Sequence, residues 1–115
     1  MRPARVYRAR RTACSQGETH ASAGEARRCS ELHLMQLGGL VRDLQAHPQP
    51  AWALVVNGVK VGRYSADFAY QDCATGKRVV EDYKGGPLSR DVPLRLKLML
   101  ALYGIDVWIN RGGRR

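Results

Sequence analysis

The chain has 115 residues, enough for one domain with a single modest core and too few for two. Its formal net charge is +9, yet residues 12 to 110 hold 11 basic and 10 acidic side chains, so 8 of the 9 net charges sit on the two ends. There is no apolar run of membrane-spanning length and no apolar signal-peptide core, and three cysteines without a C-x-x-C argue against a disulfide framework and a zinc finger. An odd, dispersed cysteine set fits a reducing cytosol.

Residues 1 to 20 read as a basic arm, with a short strand around Val6-Tyr7, followed by one domain over 21 to 110 and a basic tail over 111 to 115. Arg2, Arg5, Arg8, Arg10 and Arg11 occupy the arm, and Arg111, Arg114 and Arg115 the tail. A near-neutral globule with cationic ends suits a polyanion such as DNA or RNA through phosphate contact and counterion release. The same ends would also keep a small domain soluble.

A first helix is predicted from Ser22 to the pair Gly38-Gly39. Ser22-Ala23-Gly24-Glu25 has the S-x-x-E form of a capping box, and the glycines suit the C-terminal cap. At 100° per residue, Ala26, Cys29, Leu32, Leu34 and Leu37 share a broad apolar arc that includes Glu25, with Arg27, Arg28 and Glu31 pointing away. Glu25 is thus either a capping acid or a buried acid that needs a partner.

Leu40 to Gln45 is extended or a further half-turn, ended by Pro48 and Pro50. Trp52 to Val56 and Val59 to Tyr64 read as strands around Asn57-Gly58, the strongest hairpin signal in the chain. A meander is expected to continue into Asp67 to Tyr70 and Arg78 to Lys84. If Cys73-Ala74-Thr75-Gly76 form the last turn, Asp72 faces Lys77 and Asp67 stands opposite Asp82. Cross-strand Cβ atoms lie about 5 Å apart, where two like charges repel unless a cation sits between them. Oxygen-only ligation suits Mg²⁺ or Mn²⁺. Lys84, two residues past Asp82, projects from the same face. A two-residue Thr75-Gly76 turn would instead set Asp67 against Lys84 as an ordinary ion pair.

Gly85-Gly86-Pro87 breaks the sheet. A second helix is predicted from Val92 to Tyr103, with Asp91 at its start, Pro93 in its first turn and Gly104 at its end. Arg95 and Lys97 are its only charges, either solvated edges or phosphate contacts. Ile105 to Ile109 reads as a last strand. One sheet with both helices packed on it is the economical arrangement. His20, His33 and His47 lack ligand-like spacing and read as surface or satisfied core positions.

In order, S-A-G-E-A-R-R-C-S-E-L, Y-S-A-D-F-A-Y and V-V-E-D-Y-K-G-G resemble the motifs of the PD-(D/E)XK nuclease superfamily, and within it a small phage-encoded family of uncharacterised domains. The resemblance spans Ser22 to Gly104. It implies an α/β fold with an α+β-like element order, a restriction-endonuclease-like mixed sheet of four to five strands flanked by two helices. By the same resemblance, Asp67, Asp82 and the backbone carbonyl of Tyr83 would hold Mg²⁺ or Mn²⁺. Lys84 would position or help deprotonate the attacking water, and Glu25 would steady Lys84 or assist the metal. Such a protein would be an endodeoxyribonuclease of a bacterial host's cytoplasm, acting on DNA, branched forms included. Arg5, Arg8, Arg10, Arg11, Arg95 and Lys97 would hold the backbone. A homodimer is compatible with cutting both strands; the alternatives are a non-catalytic nucleic-acid-binding module of the same fold and a small interaction protein. The chain departs from the pattern at Ala66, where the superfamily often has proline, and at His20, where the narrower family has a bulky apolar residue.

Overall fold

A computed structural model of the chain describes residues 10 to 112. The Val6-Tyr7 strand and Arg2, Arg5, Arg8, Arg114 and Arg115 lie outside the described residues.

From Thr12 onward the segment read as an arm is folded. β1 (Thr12–Ala13) pairs antiparallel with β2 (Thr19–His20), and Cys14 and His20 are buried. Ser22 caps α1 (Ala23–Leu37), its hydroxyl accepting from the Glu25 amide at 3.1 Å. Only this half of the capping box is made, because the Glu25 carboxylate turns to His20. Gly38 and Gly39 end the helix, Gly39 at a φ of 80° that favours glycine.

The buried stripe of α1 is Glu25, Ala26, Cys29 and Leu32, with Met35 packed beside it. Leu34 and Leu37, placed on this stripe by periodicity, are exposed. Leu34 stands about 140° round the helix from Cys29 at ~100° per residue, outside the covered arc. Arg28, expected to point away, lies at the arc's edge and reaches the sheet.

β3 (Val41–Gln45) takes the extended alternative. β4 (Ala51–Val56) and β5 (Val59–Ser65) form a hairpin, with Asn57 and Gly58 at φ 50° and 80° in its turn. β5 pairs with β4 alone, so the expected meander stops there. The chain passes through Ala66 and Asp67 into β6 (Phe68–Asp72), and β7 (Arg78–Tyr83) returns antiparallel to it. α2 (Val92–Tyr103) closes at Gly104, φ 67°, and leads to β8 (Trp108–Asn110), parallel to β7. The last strand therefore starts later than periodicity placed it.

The result is a mixed α+β architecture with a four-stranded sheet ordered β3–β6–β7–β8, rather than one sheet holding every strand. Its two faces carry different layers. α1 packs on one through Ala26, Cys29, Leu32, Phe68 and Tyr70. On the other, α2 and the β4–β5 hairpin bury Leu54, Tyr64, Ala69, Val80 and Met99. Among the described residues no helix is long and apolar enough to cross a membrane.

Candidate active site

The β6–β7 turn decides the geometry. Asp72 N donates to the Lys77 carbonyl and Gly76 N to the Asp72 carbonyl, both at 2.8 Å, with Gly76 at φ 72°. The four-residue turn is thus the one that forms. Pairing from Gln71↔Arg78 to Phe68↔Glu81, extended by one step, sets Asp67 opposite Asp82.

The two acids interlock through the backbone. Asp67 N donates to Asp82 Oδ1 at 3.2 Å, and Tyr83 N donates to Asp67 Oδ2 at 2.8 Å. Asp82 is buried; its Oδ2 accepts the Tyr64 hydroxyl at 2.5 Å and faces Lys84 Nζ at 3.8 Å. Asp67 is half-buried and takes a further bond from Gln49 Nε2 at 3.1 Å. Burial first, then the neighbouring Asp82 charge, pushes the Asp67 carboxyl up to about 8.

Glu25 is brought to this end of the sheet by a close helix–strand approach. A Cβ on Gly24 would lie 2.3 Å from Tyr83 Oη, so any side chain here would have to push the Tyr83 ring aside for the first turn of α1 to settle over it. Glu25 Oε2 then meets His20 Nδ1 at 2.6 Å, both side chains buried. Burial, the largest single influence, lowers the His20 pKa, but Glu25 and Cys14 together outweigh it and the net shift is upward. Glu25, Asp67 and Lys84 line one cavity of about 700 Å³ together with His20, His47, Gln49 and Arg11. The elements so gathered are α1, the residue before β6 and the end of β7.

Among the basic residues, Arg11 lines this cavity and Arg10 is exposed beside it in sequence. Arg95 lies on the other side of Lys84, in a depression with Arg63, Tyr64 and Asp82. Its guanidinium is engaged, Nη1 with the Arg63 carbonyl at 2.7 Å and Nε with Asp91 at 2.8 Å. Lys97 is exposed on α2.

Two groupings escape sequence reading. Glu81, neighbour of Asp82 but on the opposite face, is fully buried and accepts from Arg28, Tyr70 and Asn110. The second is sulfur and nitrogen: ligand atoms of Cys14, His20, Cys29 and His47 all lie within 4.8 Å of one another. Read singly, these histidines had no ligand-like spacing; the fold supplies the convergence. Such donors could hold a metal ion, but one unlike the oxygen-seeking Mg²⁺ or Mn²⁺.

Compared with protein-family models, curated proteins and solved structures, the chain matches none.

Proposed function

We propose that the chain is a metal-dependent nuclease that hydrolyses phosphodiester bonds in DNA, built on a restriction-endonuclease-like variant of this mixed sheet and working in a bacterial cytoplasm. The observation that carries the reading is the Asp67–Asp82 pair at the edge of a cavity that Glu25 and Lys84 also line. The raised Asp67 carboxyl fits an oxygen-ligand site whose like charges a divalent cation would offset. Asp67 and Asp82 would hold Mg²⁺ or Mn²⁺, with the Tyr83 carbonyl beside them. Once bound, the ion supplies charge stabilisation at the phosphoryl oxygens and lowers the pKa of its water.

The chain's own groups have separate tasks. The Tyr64 hydroxyl, fixed on Asp82 Oδ2, orients that carboxylate and leaves Oδ1 aimed toward Asp67. Lys84, its side chain about one third exposed, is the cation able to hold the attacking water or a phosphoryl oxygen. Glu25, anchored on His20, adds a third carboxylate to the cavity wall. Arg11 on the cavity wall would meet the nucleic-acid backbone, and Arg10, Arg95 and Lys97 would add further phosphate contacts.

The purified chain, incubated with supercoiled plasmid, branched DNA and RNA in Mg²⁺, Mn²⁺ or EDTA, tests this. Metal-dependent cutting of DNA is expected, with Lys84→Ala slowed by about 10²- to 10⁴-fold while DNA binding persists. A salt-sensitive mobility shift without cleavage under any metal would make the chain a binding module. Neither activity would leave an interaction protein.

A further inference from the structure

We infer that Cys14, His20, Cys29 and His47 form a zinc site of Cys₂His₂ type, separate from the oxygen-ligand site and built to hold the N-terminal hairpin onto the domain. Cys29 Sγ lies 3.4 Å and Cys14 Sγ 3.9 Å from the same atom, His47 Nε2. Zinc–nitrogen and zinc–sulfur bonds of about 2.0 to 2.3 Å place ligand atoms about 3.3 to 3.8 Å apart at the corners of a tetrahedron. The four donors, all within 4.8 Å of one another, are therefore near that spacing with small side-chain adjustment.

The histidines are arranged as ligands rather than as core filler. His20 Nδ1 is taken by Glu25, which leaves Nε2 buried and without a partner. An orphaned buried nitrogen is costly, and a metal bond would satisfy it. His47 repeats the pattern less tightly: Nε2 faces the sulfurs while Nδ1 faces Glu18 Oε1 at 3.9 Å. A carboxylate behind each ring nitrogen is the usual outer support of zinc-bound histidine. His33 Nδ1 donates to the Cys29 carbonyl at 2.8 Å and its ring stacks on His47, so it acts as a wall.

Sulfur and imidazole in a tetrahedral set select zinc over the hard cations. Each cysteine would bind as thiolate, any remaining proton passing to solvent. The four ligands come from the β1–β2 hairpin, α1 and the β3–β4 loop, three pieces that meet in one buried cluster through Cys14, Cys29 and Ala46. In a chain this small, a closed metal site is an effective staple. Because Glu25 supports His20 from within the candidate active cavity, filling the site would also fix the position of that acid.

The test uses the full chain under reducing conditions, titrated with Zn²⁺ and, as a spectroscopic stand-in, Co²⁺. One equivalent of Co²⁺ should produce intense visible bands of tetrahedral cobalt and thiolate charge-transfer absorption, both abolished by one equivalent of Zn²⁺. Cys14→Ser and His47→Gln should lose them, whereas Cys73→Ser, at an exposed cysteine, and Asp82→Asn should keep them. Retention in Asp82→Asn separates this site from the nuclease reading. Should the ligand variants misfold, the wild-type chain still decides: Zn²⁺ should slow alkylation of Cys14 and Cys29 by 10-fold or more and leave Cys73 unchanged. Weak octahedral cobalt bands, or equal alkylation of all three cysteines with and without Zn²⁺, would overturn the assignment.

Discussion

Arg28 grips Glu81 with two parallel bonds, Nε to Oε2 at 2.7 Å and Nη2 to Oε1 at 3.0 Å. Glu81 is fully buried, and Tyr70 Oη and Asn110 Nδ2 complete its partners at 2.7 and 2.9 Å. The guanidinium also lies 5.6 Å from the centroid of the Trp108 ring. This network ties α1 to β6, β7 and β8 directly behind Asp82. Arg28→Ala would strand a buried carboxylate and should cost about 3 to 5 kcal/mol in chemical denaturation. The exposed neighbour Arg27→Ala should stay within about 0.5 kcal/mol. Equal effects of the two substitutions would deny the network its role.

Gly24 and Tyr83 set how closely the helix approaches the strand. A Cβ at Gly24 would meet Tyr83 Cε1 and Cζ at 2.6 Å as well as the hydroxyl. Gly24→Ala should therefore destabilise by about 1 to 3 kcal/mol despite alanine's better helix propensity. Combining it with Tyr83→Ala should recover part of that loss, a coupling read from a double-mutant cycle. Strict additivity would mean the ring moves aside freely.

Asp67 makes stability depend on pH. Its folded pKa of about 8, raised chiefly by burial and then by Asp82, stands above the ordinary 3.8. The fold thus favours the protonated form. That contribution is fully present below pH ~4 and is lost as pH rises through about 8, at a slope of up to roughly 1.4 kcal/mol per pH unit. Asp67→Asn should remain neutral throughout. Denaturation without added divalent metal from pH 4 to 9 should show the wild type losing stability relative to Asp67→Asn. Parallel curves would mean that neither burial nor the Asp82 charge raises the Asp67 carboxyl in the folded chain.

The basic arm should govern salt dependence. Replacing Arg5, Arg8, Arg10 and Arg11 together by alanine should weaken DNA binding. The slope of log affinity against log salt should fall by up to about 3 to 4, since each phosphate contact contributes about 0.9. An unchanged slope would assign these arginines to solubility.

Much of this architecture is legible in local signals. Ser22 and Gly38-Gly39 bracket the first helix, Asn57-Gly58 marks a hairpin, and α2 runs from Val92 to Tyr103 as its composition requires. These features depend on backbone preferences of a few adjacent residues, so they can be read without knowing what packs against them. The alternation along β6 and β7 narrowed the acidic pair to two registers, and the Cys73–Gly76 turn selected one.

Strand partnership was beyond local reading. The β4–β5 hairpin leaves the main sheet because its apolar face is covered by α2 with Leu54 and Tyr64 turned inward, a matter of layers rather than of adjacent residues. Arg28 and Glu81 are separated by 53 positions, and Cys14, His20, Cys29 and His47 have no spacing that marks them as a set. By itself the sequence determined both helices, the Asn57-Gly58 hairpin and the β6–β7 strands, because local torsional preference and side-chain period suffice for those, whereas the short β1–β2 pair reads as an arm. Only the tertiary structure decided which polar side chains meet, because burying an acid or an imidazole becomes tolerable only where the packing of distant elements supplies its partner.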